Sequence, residues 1–298
     1  FLTPQFTMFY SRRISDPRVA TKVTGKVNDY SFGVLFADNQ TSEADEVFSV
    51  IRLKRDIFQN SSIGIYYTSL QQGEERNQNL SLDFSIYHKN IYTVEGQVVY
   101  SYNKGMSRND NGMYYFTFKR APDAGLSCGL NYIRVGNNVD VKTGYVYQKN
   151  TQSTDVFTGY SWRFKKKRIK KLYVNIDGNL STDCSNMITS KGISFISSID
   201  FRNKSSITSS CYLSRSKYQV YQGSDLVWTD YFFPYNGFSF RYYYNSGGFI
   251  KGYNLDLTYN QEGVYQDDYT RVENGYSYQV SAGTTIRPKE NMEILCKV

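Results

Sequence analysis

The sequence predicts an all-β chain, a transmembrane antiparallel up-and-down β-barrel of about 16–18 strands with short periplasmic turns and longer extracellular loops. Three observations predict it. Apolar and polar residues alternate strictly along segment after segment. Those segments run to about 9–13 residues, against roughly 5–6 for a globular strand. Short and long connections follow one another in turn along the chain. Composition sets the frame: 298 residues, 35 Lys+Arg against 27 Asp+Glu, a formal charge of +8, and 17% aromatic residues with 29 Tyr. Aromatic content this high excludes a solvated coil. No apolar run approaches the roughly 18 residues of a membrane helix.

Alternation carries each element. Leu80, Leu82, Phe84 and Ile86 share one face, with Asn79, Ser81, Asp83 and Ser85 on the other. Val174, Ile176, Gly178 and Leu180 oppose Tyr173, Asn175, Asp177 and Asn179; Ile193, Phe195, Ser197, Ile199 and Phe201 oppose Ser194, Ser198 and Asp200, with Ile196 the exception. Tyr276, Tyr278, Val280 and Ala282 oppose Ser277, Gln279, Ser281 and Gly283. A helix cannot segregate an i, i+2 pattern. In order, the strands fall near 18–28, 30–38, 47–57, 62–70, 79–88, 91–103, 112–120, 125–135, 154–164, 169–181, 190–202, 206–217, 237–244, 249–260, 274–286 and 291–298. A tilted strand needs about 9–11 residues to cross a bilayer.

Tight turns are expected at Asn28-Asp29, Gln59-Asn60-Ser61, Lys89-Asn90, Ala121-Pro122-Asp123, Lys165-Lys166-Lys167, Asn203-Lys204, Ser246-Gly247 and Pro288-Lys289-Glu290. Longer polar stretches lie between them: Asn39 to Glu46, Gln71 to Gln78, Lys104 to Asn111, Thr182 to Thr189, Tyr218 to Tyr235 and Gln261 to Glu273. The prolines fall outside the expected strand interiors, as ladder hydrogen bonding requires. Gly136 to Ser153 fits the alternation least. Val139 to Gln148 is read as a β-rich extracellular excursion, with a loop folded into the lumen as the alternative. Tyr30, Tyr66-Tyr67, Tyr92, Tyr100, Tyr102, Tyr114-Tyr115, Trp162, Tyr173, Tyr242-Tyr243-Tyr244, Tyr253 and Tyr259 near strand ends suit aromatic girdles. The rival reading is cross-strand aromatic packing in a soluble sheet. A solenoid lacks the fixed-period repeat it would need.

Four cysteines (Cys128, Cys184, Cys211, Cys296) with no CxxC pair, and a single histidine, His88 in a turn-like run, argue against a zinc site; no metal or other cofactor is expected. Two disulfides are compatible with the spacing, and nothing in it demands them. Phe1-Leu2-Thr3-Pro4 has the features of neither a signal nor a transit peptide.

Phe9-Tyr10-Ser11-Arg12-Arg13-Ile14, then Lys22-Val23-Thr24-Gly25-Lys26 with Tyr30-Ser31-Phe32-Gly33-Val34-Leu35, then Phe48 to Thr68 with Arg52, Lys54-Arg55-Asp56 and Ser61-Ser62-Ile63-Gly64, resemble the opening of the barrel region of the DUF5916 family. Gly129-Leu130-Asn131-Tyr132 through Gly144-Tyr145-Val146 is similar to a weaker motif of that family. The resemblance is specific over residues 9–68 and diffuse beyond. It implies an outer-membrane barrel of Bacteroidota-like bacteria, usually following a carbohydrate-binding-like N-terminal domain that this chain does not include. Residues 1–298 are then expected to form one barrel domain, incomplete at its C-terminal end, because Cys296-Lys297-Val298 is not an aromatic terminus.

The charged residues divide into two groups. Arg12 and Arg13, Arg52, Lys54 and Asp56 are assigned to the first strands, and Asp83, Lys119, Asp177, Asp200 and Asp256 lie in mid-strand on the polar face; all are candidates for lumenal charge. They would either select anionic or hydroxyl-rich solutes or only brace the wall. Lys165, Lys166, Lys167, Arg168, Lys170 and Lys171 form the densest basic run, a candidate for lipid headgroups, with a solvated turn as the plain alternative. No stacking platform accompanies it, so nucleic acid is not an expected partner. The expected partners are outer-membrane lipid and a partner protein or further strands that complete the barrel. The leading expectation for function is a pore or translocation conduit. The second is a non-conducting anchor or scaffold. The third is an outer-membrane hydrolase, for which the sequence offers no nucleophile elbow, metal motif or phosphate loop.

Overall fold

The computed structural model describes residues 5–41, 44–105, 109–222, 225–245, 250–266, 269–289 and 292–297. After a short 3-10 turn at Ser11–Arg13 come β1 (Pro17–Val27), β2 (Tyr30–Asn39), β3 (Glu46–Ile57), β4 (Ser61–Gln72), β5 (Glu75–His88), β6 (Tyr92–Asn103), β7 (Gly112–Arg120) and β8 (Gly125–Val135). Then follow β9 (Thr151–Arg163), β10 (Ile169–Thr182), β11 (Ile188–Phe201), β12 (Ser205–Ser216), β13 (Gln219–Gln222), β14 (Asp225–Trp228), β15 (Phe233–Asn245), β16 (Ile250–Tyr265), β17 (Val272–Lys289) and β18 (Met292–Lys297). All but β13 and β14 form one 16-stranded sheet whose neighbours follow chain order, antiparallel wherever the register is defined. The all-β, up-and-down architecture is therefore present. Barrel closure is not: the order runs from β1 to β18, and no pairing joins those two among the described residues.

The register puts the two faces on opposite sides of the usual solvent rule. Val23 is 56% exposed, Leu82 57%, Ile193 54% and Val280 70%. Residues of the other face are covered: Tyr66, Thr68, Ser81 and Val99 are 0% exposed. Since side chains alternate across a strand, in strands such as β3 to β6 one parity is mainly apolar and outward, while the inward parity carries the buried polar side chains together with Phe48, Val50, Tyr66 and Val99.

The chain divides into two compact units. The first comprises Phe1–Arg120, Gly129–Thr154 and Thr182–Met187; the second comprises Ala121–Cys128, Asp155–Ser181 and Ile188–Val298. Within the first, Met8, Val50, Tyr66, Val99, Met113, Val135, Val139 and Val141 form the main apolar cluster. Within the second, Val220 and Val227 of the β13–β14 hairpin pack with Tyr218, Phe233 and Val272.

Several expectations are corrected. Residues 136–150 form no strand: Val139, Val141 and Thr143 are buried in the first unit, as the inward-folded alternative has it, while Tyr145, Tyr147 and Gln148 are exposed. Gln71 to Gln78 is not a long loop. Gln72 pairs with Glu75 across a tight turn where Gly73 takes φ +55°, a left-handed conformation that glycine adopts without a Cβ clash. The stretch Thr182 to Thr189 shrinks to the bend between β10 and β11, and Tyr218 to Tyr235 holds a hairpin of its own. Pro234 and Pro288 lie inside β15 and β17, the latter within a register shift between Ile286 and Lys289. Tyr66 points inward and is buried, so it belongs to no girdle. The turn expected at Ser246-Gly247, and Glu290 of the last one, lie outside the described residues.

Candidate functional site

The polar face of the first unit is the best-built site, and local sequence explains it. In β3, Arg52, Lys54 and Asp56 alternate with outward Ile51 and Leu53. Arg52 pairs in register with Tyr66, Tyr66 with Ser81, Ser81 with Val99 and Val99 with Met113, giving an inward row across β3 to β7. Gly64 lies beside this row, directly opposite Asp83. A Cβ on Gly64 would come within 2.6 Å of both terminal nitrogens of Arg52. The missing side chain lets the guanidinium lie across β4 and reach Asp83 on β5, with Nη1 to Oδ2 at 2.5 Å and Nη2 to Oδ1 at 2.8 Å. The side chains of Arg52 and Asp83 are 7% and 13% exposed. The Arg52 guanidinium carbon also sits 5.4 Å from the Tyr66 ring centroid. Asp56 takes Lys26 at 2.6 Å and Lys54 at 3.5 Å.

Two non-strand segments cover this face. Thr7 bridges Tyr145, Tyr10 N–H donates to the Thr143 carbonyl at 2.9 Å, and the Thr143 hydroxyl donates to the Met8 carbonyl at 2.8 Å. Irregular backbone buried in this way must find hydrogen bonds outside any ladder. The inward polar side chains supply them. Gln97 accepts from Phe6 N–H at 2.8 Å; Asn77 donates to the Asp140 carbonyl at 2.7 Å and accepts from Lys142 N–H at 3.1 Å; the Ser101 hydroxyl donates to the Asp140 carbonyl at 2.5 Å. The same cover inserts Met8, Val139 and Val141 as apolar anchors. A cavity of about 620 Å³ remains, lined by Gln5, Thr7, Arg52, Lys54, Asp83 and Glu95 among others. Glu95 accepts from Ser85 at 2.8 Å and from Tyr87 at 2.7 Å.

A clasp at the end of β8 ties the covering segment down. Asp110 accepts from Arg134 at 2.7 Å and from Asn137 N–H at 2.8 Å, while the Cys184 thiol lies 3.4 Å from the Val135 carbonyl. Burial alone would raise the Asp110 carboxyl, but the hydrogen bonds from Asn137 and Arg134 outweigh it and hold the group below the usual carboxylate range. Burial first, and the Asp110 carboxylate second, push the Cys184 thiol up.

In the second unit the polar face repeats one device. Tyr212 lies over Gly237, where a Cβ would meet its ring at 2.4 Å, and its hydroxyl donates to Asn260 at 2.7 Å on the strand beyond. Asp177 accepts from Asn175 at 2.5 Å and Ser194 at 3.2 Å; Asp256 pairs with Arg241 and accepts from Asn254 at 2.8 Å. Asp200 pairs in register with Ser206 on the inward parity.

Of the residues read from sequence, Arg52, Lys54 and Asp83 come together around one cavity, with Asp56 paired to Lys54 beside it. Asp177, Asp200, Asp256 and Lys119 lie on inward parities elsewhere, with Lys119 exposed near the end of β7. Arg12 and Arg13 belong to no strand: they sit exposed in the 3-10 turn, Arg13 reaching the Gly144 carbonyl at 3.5 Å. Lys165, Lys166, Lys167 and Arg168 occupy the exposed β9–β10 turn, and Lys170 and Lys171 open β10. Sequence reading named Gly64 only within the family-like stretch Ser61-Ser62-Ile63-Gly64 and did not single out Asn77, Gln97, Ser101 or Arg202. A glycine opposite an inward acid is the one signal that could have marked Gly64. Cys128, Cys184 and Cys211 are free thiols, and the described residues hold no cluster with metal-binding geometry. Comparison with protein-family profiles, with curated proteins and with solved structures finds no match.

Proposed function

We propose that this chain is the wall of an outer-membrane β-barrel, serving as a conduit whose polar, charge-lined lumen is narrowed by its own inward-folded segments. The observation that carries the reading is the inversion of the two faces. Val23, Leu82, Ile193 and Val280 are all more than half exposed, while Ser81, Thr68 and Asn79 are buried. Water-soluble sheets bury the apolar parity, and contiguous apolar surface on this scale marks contact with lipid or protein. Lipid outside and a hydrated interior fit both faces at once. Tyr160 with Trp162, and Tyr242, Tyr244 and Tyr253, supply the amphipathic rings such walls carry. The resemblance of residues 9–68 to the DUF5916 barrel region points the same way.

One observation favours a second reading, a non-conducting anchor: residues 5–9 and 138–145 lie across the polar face of the first unit and are hydrogen-bonded to it. No observation favours a hydrolase, since Asp177 and Asp256 are each engaged by amide, hydroxyl or guanidinium groups rather than by one another. Single-channel conductance in a planar bilayer tests the conduit. Ohmic steps whose ion selectivity changes in Lys54→Ala support it. Stable insertion without conductance leaves the anchor, and failure to insert overturns the membrane reading.

A further inference from the structure

The β9–β10 turn is more than a run of lysines. Arg202, from the next turn along the same end, donates Nε to the Lys167 carbonyl at 2.8 Å and uses Nη2 on the carbonyls of Phe164 and Lys165. Its own N–H donates to the Arg168 carbonyl at 3.0 Å. The Lys204 carbonyl in turn accepts from Asn245 N–H at 3.2 Å. The Arg202 guanidinium thus occupies three of the turn's carbonyls and its backbone N–H a fourth, so the turn end presents ammonium and guanidinium groups with few competing carbonyl oxygens. Lys165, Lys166, Lys167, Arg168 and Lys170 are exposed, and Lys167 rests 5.2 Å from the Phe164 ring centroid. Among the described residues, no carboxylate forms an ion pair with any of these cations.

What lies next to this cluster selects its partner. The outward parity of β9 reads Val156, Tyr160, Trp162 toward the turn, each at least 40% exposed, and the Tyr160 and Trp162 rings are 4.5 Å apart. Outward Ile176 and Leu180 continue the strip on β10. Apolar side chains, then amphipathic rings, then unpaired cations follow the order of a bilayer leaflet: hydrocarbon, interface, phosphate. Nucleic acid or an acidic protein would match the cations but leave the apolar strip facing water.

Resting on the membrane reading above, we propose that this turn is a phosphate-binding clasp for an anionic phospholipid headgroup, with Lys165, Lys166, Lys167 and Arg168 as ligands and Arg202 as the positioning residue. An ammonium or guanidinium at an anionic surface strengthens partition roughly fivefold each. The test uses the full chain and vesicles of phosphatidylcholine alone or with phosphatidylglycerol, reading insertion by Trp fluorescence and bound lipid by mass spectrometry of the extracted protein. The expected result is that phosphatidylglycerol raises apparent partition by tenfold or more and co-purifies. The quadruple change Lys165→Gln, Lys166→Gln, Lys167→Gln, Arg168→Gln should abolish both effects without altering insertion into phosphatidylcholine. Replacement of the three lysines by Arg should retain both effects. Arg202→Gln should weaken lipid retention while leaving the number of cations among the four ligands unchanged. Equal phosphatidylglycerol dependence in the wild type and the quadruple variant would overturn the clasp while leaving the membrane wall intact. Failure to insert into any vesicle would overturn both.

Discussion

Removing the Asp83 carboxylate should expose how dry the polar face of the first unit is. Arg52 and Asp83 make a bidentate pair at 2.5 and 2.8 Å, with side chains 7% and 13% exposed. They sit on β3 and β5, with β4 between them, so this side-chain pair directly couples two non-adjacent strands. Asp83→Ala leaves a covered guanidinium without its counter-charge, and stranding a buried charge in this way costs about 3–5 kcal/mol. The pair as a whole is worth far less, because both ions surrendered their hydration. Arg52→Met combined with Asp83→Leu should therefore recover most of the loss, ending within about 1 kcal/mol of the wild type. Urea unfolding in detergent micelles, followed by hydrogen exchange of the β3 to β6 amides, gives both numbers. A cost below about 1 kcal/mol for Asp83→Ala would mean that water solvates the guanidinium. The covered face would then be open, and the narrowed-lumen account would fail.

Four further outcomes follow from the same geometry. Gly64→Ala should push Arg52 off Asp83 and destabilise by roughly 1–3 kcal/mol, seen in the same unfolding curves, whereas substitution at open Gly105 by Asn should leave the pair untouched. Gly144→Ala sets a Cβ 2.0 Å from the Thr7 carbonyl oxygen, which is backbone and cannot swing away; the N-terminal segment should detach and tryptic cleavage at Arg12-Arg13 accelerate. Asp110 has a lowered pKa, so its stabilisation is complete above the ordinary carboxylate range and is lost as pH falls through that range toward the lowered value. The protection factors of the Asn137 and Asn138 amides, exchange corrected for its intrinsic pH dependence, should accordingly fall on acidification below about pH 4 and change little between pH 6 and 8. Cys184, with its pKa raised, should alkylate slowly at pH 8, and Asp110→Asn should speed it by removing the carboxylate that disfavours the thiolate.

The strands were legible because each one is a local, period-two signal. Leu80 and Leu82 against Asn79 and Ser81 assign β5 and both its faces without any knowledge of a partner strand, and the same holds for β10, β11 and β17. Gln71 to Gln78 misled for an equally local reason: a polar run looks like a loop, yet Arg76 and Asn77 sit in ladder positions opposite Gln71 and Leu70. Polar residues at inward positions of a sheet are indistinguishable from loop residues unless apolar neighbours break the run.

By itself, then, the sequence determined the all-β class, the number and order of the strands in the main sheet, and the parity that sets Arg52, Lys54 and Asp83 opposite the outward apolar residues. Only the tertiary structure decided what that polar face meets. Asn77, Gln97, Ser101 and Thr68 look like ordinary inward polar residues until residues 5–10 and 138–145 arrive to need their hydrogen bonds. Gly64 looks like a weak point in a strand until Arg52 lies across it. Periodicity is a property of neighbours along the chain and is fixed residue by residue. A covering segment separated by dozens of residues from the strands it satisfies leaves no period, and its place is set by which buried backbone groups can find partners.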